Sequence, residues 1–270
     1  MNIRSPVLLS FTKYFLRGNL ASLKPSVLVL HGFLGSKSNW HTFCRVLHER
    51  TQRTFFALDL RNHGRSPHSA PHDYRSMTAD VIAFIEQHRL NSVVLLGHSM
   101  GAKVSMGVAL TLPTRIAALI LIDNAPVCAD VHESTCTSVR ALFRVASAQP
   151  LSRRYAGEML KNIVSDNSLR ELLLSNLVRG SDGRLHSRLP LSLLIHSLPA
   201  LGDFPFNGIF SGPTLLIRGR YSNYVSDAYL PDVYRVFPSA SIVTLDGGHW
   251  IHVEQSEHVL SSVETFLQNN

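Results

Sequence analysis

Ser92-Val-Val-Leu-Leu96 runs straight into Gly97-His98-Ser99-Met100-Gly101, and that into the helical pattern of Ala102–Leu112. The centre of this stretch has the form G-x-S-x-G. The bare pattern carries little weight, but a β-rich apolar run leads in and a helix leads out. That is the context in which the motif builds a sharp strand-to-helix turn and pushes a serine hydroxyl into the open. The helix behind it adds free backbone N–H groups and the positive end of its dipole. Ser99 is the candidate nucleophile.

The same rhythm extends outward. Ser26–Leu30, Thr54–Leu58, Ala118–Ile122, Pro213–Ile217 and Ala240–Leu245 are further short apolar runs. Near-continuous runs of this length suit parallel strands covered on both faces. Helical spacing marks Asn39–Arg50, Ser76–Arg89, Ser99–Leu112 and Ser256–Leu267 between or after them. Alternating strands and helices predict an α/β fold, with a doubly wound, mostly parallel sheet. The rhythm breaks from about Val127 to Phe210, where the stripes Val139-Leu142-Phe143-Ala146 and Leu169-Leu172-Leu173-Leu177 read as helical only. The expected organisation is one domain over 1–270, with a core formed by 6–126 and 211–268 and a helical lid over about 127–210.

A serine nucleophile needs a base, and the base an orienting acid. The expected chain order is Ser, then Asp or Glu, then His. His249, in Gly247-Gly-His-Trp250 after the last strand, is the candidate base, with His252 supporting or structural. The loop after Pro213–Ile217, Arg218–Val225, holds no carboxylate before Asp227. Asp123, at the carboxyl end of the preceding strand, is therefore the candidate acid, since catalytic groups gather at such ends. Asp227 is the runner-up, and Asp246 belongs to a strand end. Ser222 is an auxiliary candidate, able to bond His249 or Asp123, with a plain loop hydroxyl as the alternative. The backbone N–H groups of Met100 and Phe33, the latter in His31-Gly-Phe-Leu-Gly35, are the expected oxyanion donors. Arg61 and Asn62, in Asp59–Ser66, either brace the site or only make a turn.

Composition excludes several classes. With 45% hydrophobic and 17% charged residues, the chain is not disordered as a whole. Formal charge is +7, but the basic residues are scattered and form no nucleic-acid-binding stripe. Charge-free runs such as Leu90–Ala102 are too short and too polar to cross a bilayer, so no integral membrane span is expected. Cys44, Cys128 and Cys136 match neither a disulfide framework nor a zinc motif, which suits a reducing compartment. His68 and His72 flank Pro71 and lack a third ligand, so no metal is assigned. No phosphate or dinucleotide loop is present, and no cofactor is expected. No acidic residue precedes Glu49, and Met1–Gly18 carries Arg4, Lys13 and Arg17 among hydroxyl residues. That reads either as a mitochondrial targeting segment or, over Val7–Phe15, as a first strand.

Taken together, these residues resemble the α/β-hydrolase superfamily. More narrowly, they resemble the family of abhydrolase domain-containing protein 11, bacterial short-chain esterases and yeast ethanol acetyltransferases. The resemblance is carried by His31–Trp40, Asp59–His68, Gly97–Val104, Ile122–Val127 and Gly248–His252, and covers roughly 6–128 and 211–267. It implies Ser99, Asp123 and His249 as a triad and matches Ser222 to a loop serine near the triad of bacterial relatives. It further implies esterase or thioesterase activity on small acyl groups, with a mitochondrial location in eukaryotic members and a cytoplasmic one as the alternative. The chain departs from the family pattern at Ala102, where Gly is common, and at Gly219-Arg-Tyr-Ser222, where Gly-Gly-Asn-Ser is usual. Three functions follow as expectations: hydrolysis of small esters or thioesters through an acyl-Ser99 intermediate, acyl transfer to an alcohol such as ethanol, or a non-catalytic interaction protein on the same fold.

Overall fold

A computed structural model describes residues 5–15 and 24–270. The candidate targeting segment Met1–Gly18 thus lies partly outside the described residues. Within them, β1 (Phe11–Tyr14) takes up only part of the expected Val7–Phe15 strand. Before it, Val7 N donates to Asp80 Oδ1 and Ser10 N to Ser66 Oγ, while Ser10 O accepts from Asp59 N at 2.8 Å.

The chain continues through β2 (Ser26–Leu30), α1 (His41–Thr51), β3 (Phe55–Leu58), α2 (Tyr74–Gln87), β4 (Val93–His98), α3 (Met100–Thr111) and β5 (Ile116–Ile122). An inserted segment carries α4 (Glu133–Ser147), α5 (Arg153–Lys161), α6 (Asn167–Ser175), β6 (Leu177–Arg179), β7 (Leu185–Ser187), α7 (Leu191–His196) and α8 (Leu198–Gly202). The sheet then resumes with β8 (Thr214–Gly219), α9 (Leu230–Val236), β9 (Ala240–Leu245), α10 (Ile251–Glu254) and α11 (Ser256–Asn269).

Seven strands form one sheet in the order β1-β3-β2-β4-β5-β8-β9. All neighbours are parallel except β1, which runs antiparallel to β3 with Phe11 opposite Leu58. Successive side chains alternate between faces, so the strands inside the sheet serve two cores. Leu28, Phe56 and Leu95 face α2 and α3, whereas Val27, Val29, Phe55 and Val94 face α1 and α11. This double burial is why the strands read as unbroken apolar runs.

The expectation of a purely helical segment over 127–210 is corrected in one place. Leu177–Arg179 and Leu185–Ser187 pair antiparallel as a hairpin. Its turn closes with Gly183 N on Gly180 O at 3.1 Å, and Gly183 sits at φ 76°. Asp182 Oδ1 accepts from Arg184 N at 3.0 Å. An Asp-Gly pair between two short apolar pieces is a hairpin signal, masked in the sequence by the leucine periodicity of α6 just before it.

Candidate active site

β4 ends at His98 and α3 begins at Met100, leaving Ser99 alone on the turn with φ 54° and ψ −119°. A left-handed φ on a non-glycine residue is strained, and the packing around the turn enforces it. A Cβ at Gly97 would lie 2.2 Å from Gly101 O, and one at Gly101 would lie 2.3 Å from Leu30 O. The two glycines let the elbow close on itself and on the end of β2.

Three of the sequence-predicted residues meet there. His249 Nε2 is 2.9 Å from Ser99 Oγ, and His249 Nδ1 is 2.7 Å from Asp123 Oδ2. Asp123 is fully buried just past β5 at φ 52°, its N–H donating to Ile217 O at 2.8 Å. Its Oδ1 accepts from Gly219 N at 3.0 Å and its Oδ2 accepts the Ser222 hydroxyl. Ser222 therefore bonds the acid rather than the imidazole. Asp227 is elsewhere, an exposed carboxylate paired at 2.6 Å with the mostly buried Arg218, and Asp246 pairs with Arg220.

Phe33 and Met100 flank Ser99 in a cavity of about 440 Å³. Neither amide is bonded to an acceptor among the described residues. The Phe33 loop is held by two buried imidazoles. His31 Nε2 accepts from Leu60 N at 3.0 Å, and His63 Nε2 accepts from Leu34 N at 3.1 Å. An accepting ring nitrogen must be unprotonated, and burial, the largest cause in each case, pushes both imidazoles below their usual range. Arg61 and Asn62 hold together the loop they sit in. Arg61 forms a bidentate pair with Asp80 at 2.6 and 2.7 Å, and Asn62 bonds both the N–H and C=O of Ser69.

Four further groups surround the site, of which only His252 was singled out in the sequence, as supporting or structural. His98 donates from Nε2 to His249 O at 3.0 Å, fixing the loop that carries the base. Burial, and then its neighbours His252 and His249, hold His98 well below the usual imidazole range. It thus sets no second positive charge beside His249. His252 stacks on Trp40, with ring centroids 4.8 Å apart. Tyr224 lies flat on His249, centroids 3.7 Å apart and planes 14° off parallel.

The fourth is Lys103, in the first turn of α3 and 3% exposed. Its Nζ donates to Val127 O, Gly202 O and Asp203 O at 2.9, 3.2 and 2.9 Å, pinning both ends of the inserted segment. Burial is the main cause pushing this amine down from 10.5 to about 8. Between these values the unfolded chain binds more protons, so this group's contribution to stability rises with pH. Urea unfolding of wild type and Lys103→Met at pH 7 and pH 10 should show the wild type gaining on the variant, by on the order of 2–3 kcal/mol. Parallel pH dependences in the two proteins would contradict this.

Among the described residues, no group of three or more His, Cys, Asp or Glu side chains is placed to hold a metal. No helix among them is long and apolar enough to cross a membrane.

Residues 25–256 match the model of the α/β hydrolase fold family, and the chain belongs to that family. It is 36% identical to the sn-1-specific diacylglycerol lipase ABHD11 of Danio rerio, over 99% of this chain and 85% of that one. It is 30% identical to a probable alcohol acetyltransferase of Saccharomyces cerevisiae, over 94% of this chain and 80% of that one. Among solved structures it resembles a marine microorganism esterase, with a TM-score of 0.88 and 28% identity over 96% of this chain and 99% of that one.

Proposed function

We propose that this protein is a serine hydrolase that cleaves small carboxylic esters or thioesters. The observation that carries the reading is the continuous hydrogen-bonded line from Ser99 Oγ through His249 to the buried Asp123. In this reading Ser99 Oγ bonds to the acyl carbon while its proton passes to His249 Nε2. Asp123 holds Nδ1–H and stabilises the imidazolium. The Phe33 and Met100 amides receive the developing oxyanion. The bond to the alcohol or thiol then breaks, and the leaving atom takes the proton from His249. Water repeats the sequence on the acyl-Ser99 ester and releases the acid. An alcohol in place of water would give a new ester, and the acetyltransferase-named relative favours keeping that second reading.

A mitochondrial location belongs to the same proposal, supported by the absence of carboxylates before Glu49. The inserted segment serves as the lid, because its first residues, Val127–Thr135, contribute to the wall of the Ser99 cavity.

The deciding experiment compares wild type with Ser99→Ala on p-nitrophenyl acetate through octanoate, with and without ethanol. Acid as the product, lost in the variant, is the expected result. Accumulation of ethyl ester would favour the transferase reading. Equal rates in the two proteins would sink the Ser99 mechanism.

A further inference from the structure

Leu151 and Tyr155 stand at the join of α4 and α5, where the fold leaves them 63% and 60% exposed. Their backbone is fixed. Ser152 Oγ caps α5 by accepting from Tyr155 N at 3.2 Å, and Pro150 O accepts from Leu185 N of the β6–β7 hairpin at 2.9 Å. Arginines bind the hairpin to the same corner. Arg179 donates to Leu151 O at 3.2 Å, and Arg184 donates to Gln149 O at 3.4 Å. Arg153 and Arg154 open α5 beside them.

These four guanidinium groups keep their charge. Arg153, Arg179 and Arg184 bond backbone carbonyls, which accept a hydrogen bond but neutralise nothing. Arg154 has no hydrogen-bond or ion-pair partner among the described residues. Two carboxylates lie close by in the chain. Asp182, in the hairpin turn, is engaged by His186 Nε2 and by the Arg184 N–H, each at 3.0 Å. Glu158 follows on the next turn of α5. The corner thus sets positive charge around two protruding side chains, and exposed apolar groups rimmed by charge mark an interaction site.

We infer that this corner docks the protein on an anionic lipid surface. The two kinds of residue do two jobs there. The arginines meet headgroup phosphates, and each basic side chain beside an anionic bilayer is worth about five-fold in binding. Tyr155 suits the headgroup level, where an amphipathic ring has both its wet and its apolar neighbours. Leu151 enters the acyl boundary, as the apolar residues of a surface-bound segment do. A polyanion in water would satisfy the arginines but leave Leu151 in solvent, whereas a bilayer takes both. The docking reaches the site through α4. Thr135, in its first turn, walls the Ser99 cavity, and Ser147, at its other end, leads into the corner. The bilayer would therefore hold the inserted segment at the end away from Ser99, with roughly 20 Å of helix between.

The test is co-sedimentation of the whole protein with vesicles of phosphatidylcholine, alone or mixed with phosphatidylglycerol. Wild type should pellet with the mixed vesicles and stay in solution with the neutral ones, and added salt should weaken the binding. Leu151→Ser/Tyr155→Ser should weaken it roughly ten-fold or more, and Arg154→Gln about five-fold. Arg45→Gln makes the same charge change on α1, where Arg45 pairs with Glu49, and should leave binding within about two-fold. All four positions are exposed, so the fold is kept. Equal binding to both kinds of vesicle, no binding to either, or full binding by the double serine variant would overturn the proposal. Equal losses at Arg45 and Arg154 would also overturn it, since the overall charge of +7 would then explain the attraction. Binding is measured without substrate, so none of these results bears on the hydrolase reading.

Discussion

Asp123→Asn should lower kcat roughly 10⁴-fold on any ester the enzyme cleaves, the loss expected when the orienting acid of a serine triad becomes an amide. The carboxylate does two things an amide cannot. It accepts the His249 Nδ1 proton at 2.7 Å, which leaves Nε2 free to accept from Ser99, and it supplies a full negative charge against the imidazolium. An asparagine at 123 can turn its NH₂ toward Nδ1. The ring would then carry its proton on Nε2 and could no longer take one from Ser99. The Gly219 N–H, which serves Asp123 Oδ1, would hold the amide oxygen, and the Ser222 hydroxyl, now on Oδ2, can rotate to accept from the NH₂, so the fold should survive. Asp227→Asn is the matched control. Asp227 is itself exposed and contacts Arg218 away from the triad, and its loss should leave kcat within about two-fold. Steady-state kinetics on the two variants separates the candidates. Equal losses, or a larger loss at Asp227, would remove Asp123 from the mechanism.

Arg61→Met should cost roughly 3–5 kcal/mol of stability, the range for breaking a buried ion pair from one side. Arg61 and Asp80 are 1% and 0% exposed and share two hydrogen bonds. Burial pushes the Asp80 carboxyl up even beside the guanidinium, so desolvation is the dominant effect at this carboxylate. Removing Arg61 leaves Asp80 with the Val7 N–H, and it strips the Pro71 carbonyl of its donor. The double variant Arg61→Met/Asp80→Leu should recover most of the loss, because no unpaired charge is left behind. Urea unfolding of both proteins is the measurement. A double variant no more stable than the single one would show that the pair contributes more than it costs to bury.

The parts of the fold that were legible in sequence are those where one physical demand acts alone. Strands β2, β4 and β5 are buried on both faces, which leaves little but Val, Leu, Ile and Ala. The elbow was legible because close backbone contact at Gly97 and Gly101 excludes every side chain. Asp123 could be singled out as the candidate acid because the loop after β8 lacks a carboxylate where one would serve, and the structure brings it to His249. What was not legible depends on partners distant in the chain. The Tyr224–Thr135 contact joins residues 89 positions apart, and Lys103 reaches carbonyls 99 and 100 positions away. Lys103 looks in sequence like any lysine near a helix start. The β6–β7 hairpin was hidden because Leu177 extends the helical spacing of α6 before the chain turns.

The antiparallel β1 has a practical consequence for handling this protein. Phe11 packs edge-on against Phe84 and His88, and β1 covers the outer backbone of β3. A protease cutting just after residue 15 would strip that cover and lay bare a hydrogen-bonding edge, the kind of surface on which chains stick to one another. A shortened form of the protein should therefore keep Val7–Phe15. An affinity handle belongs at the far end, where α11 finishes at an exposed surface.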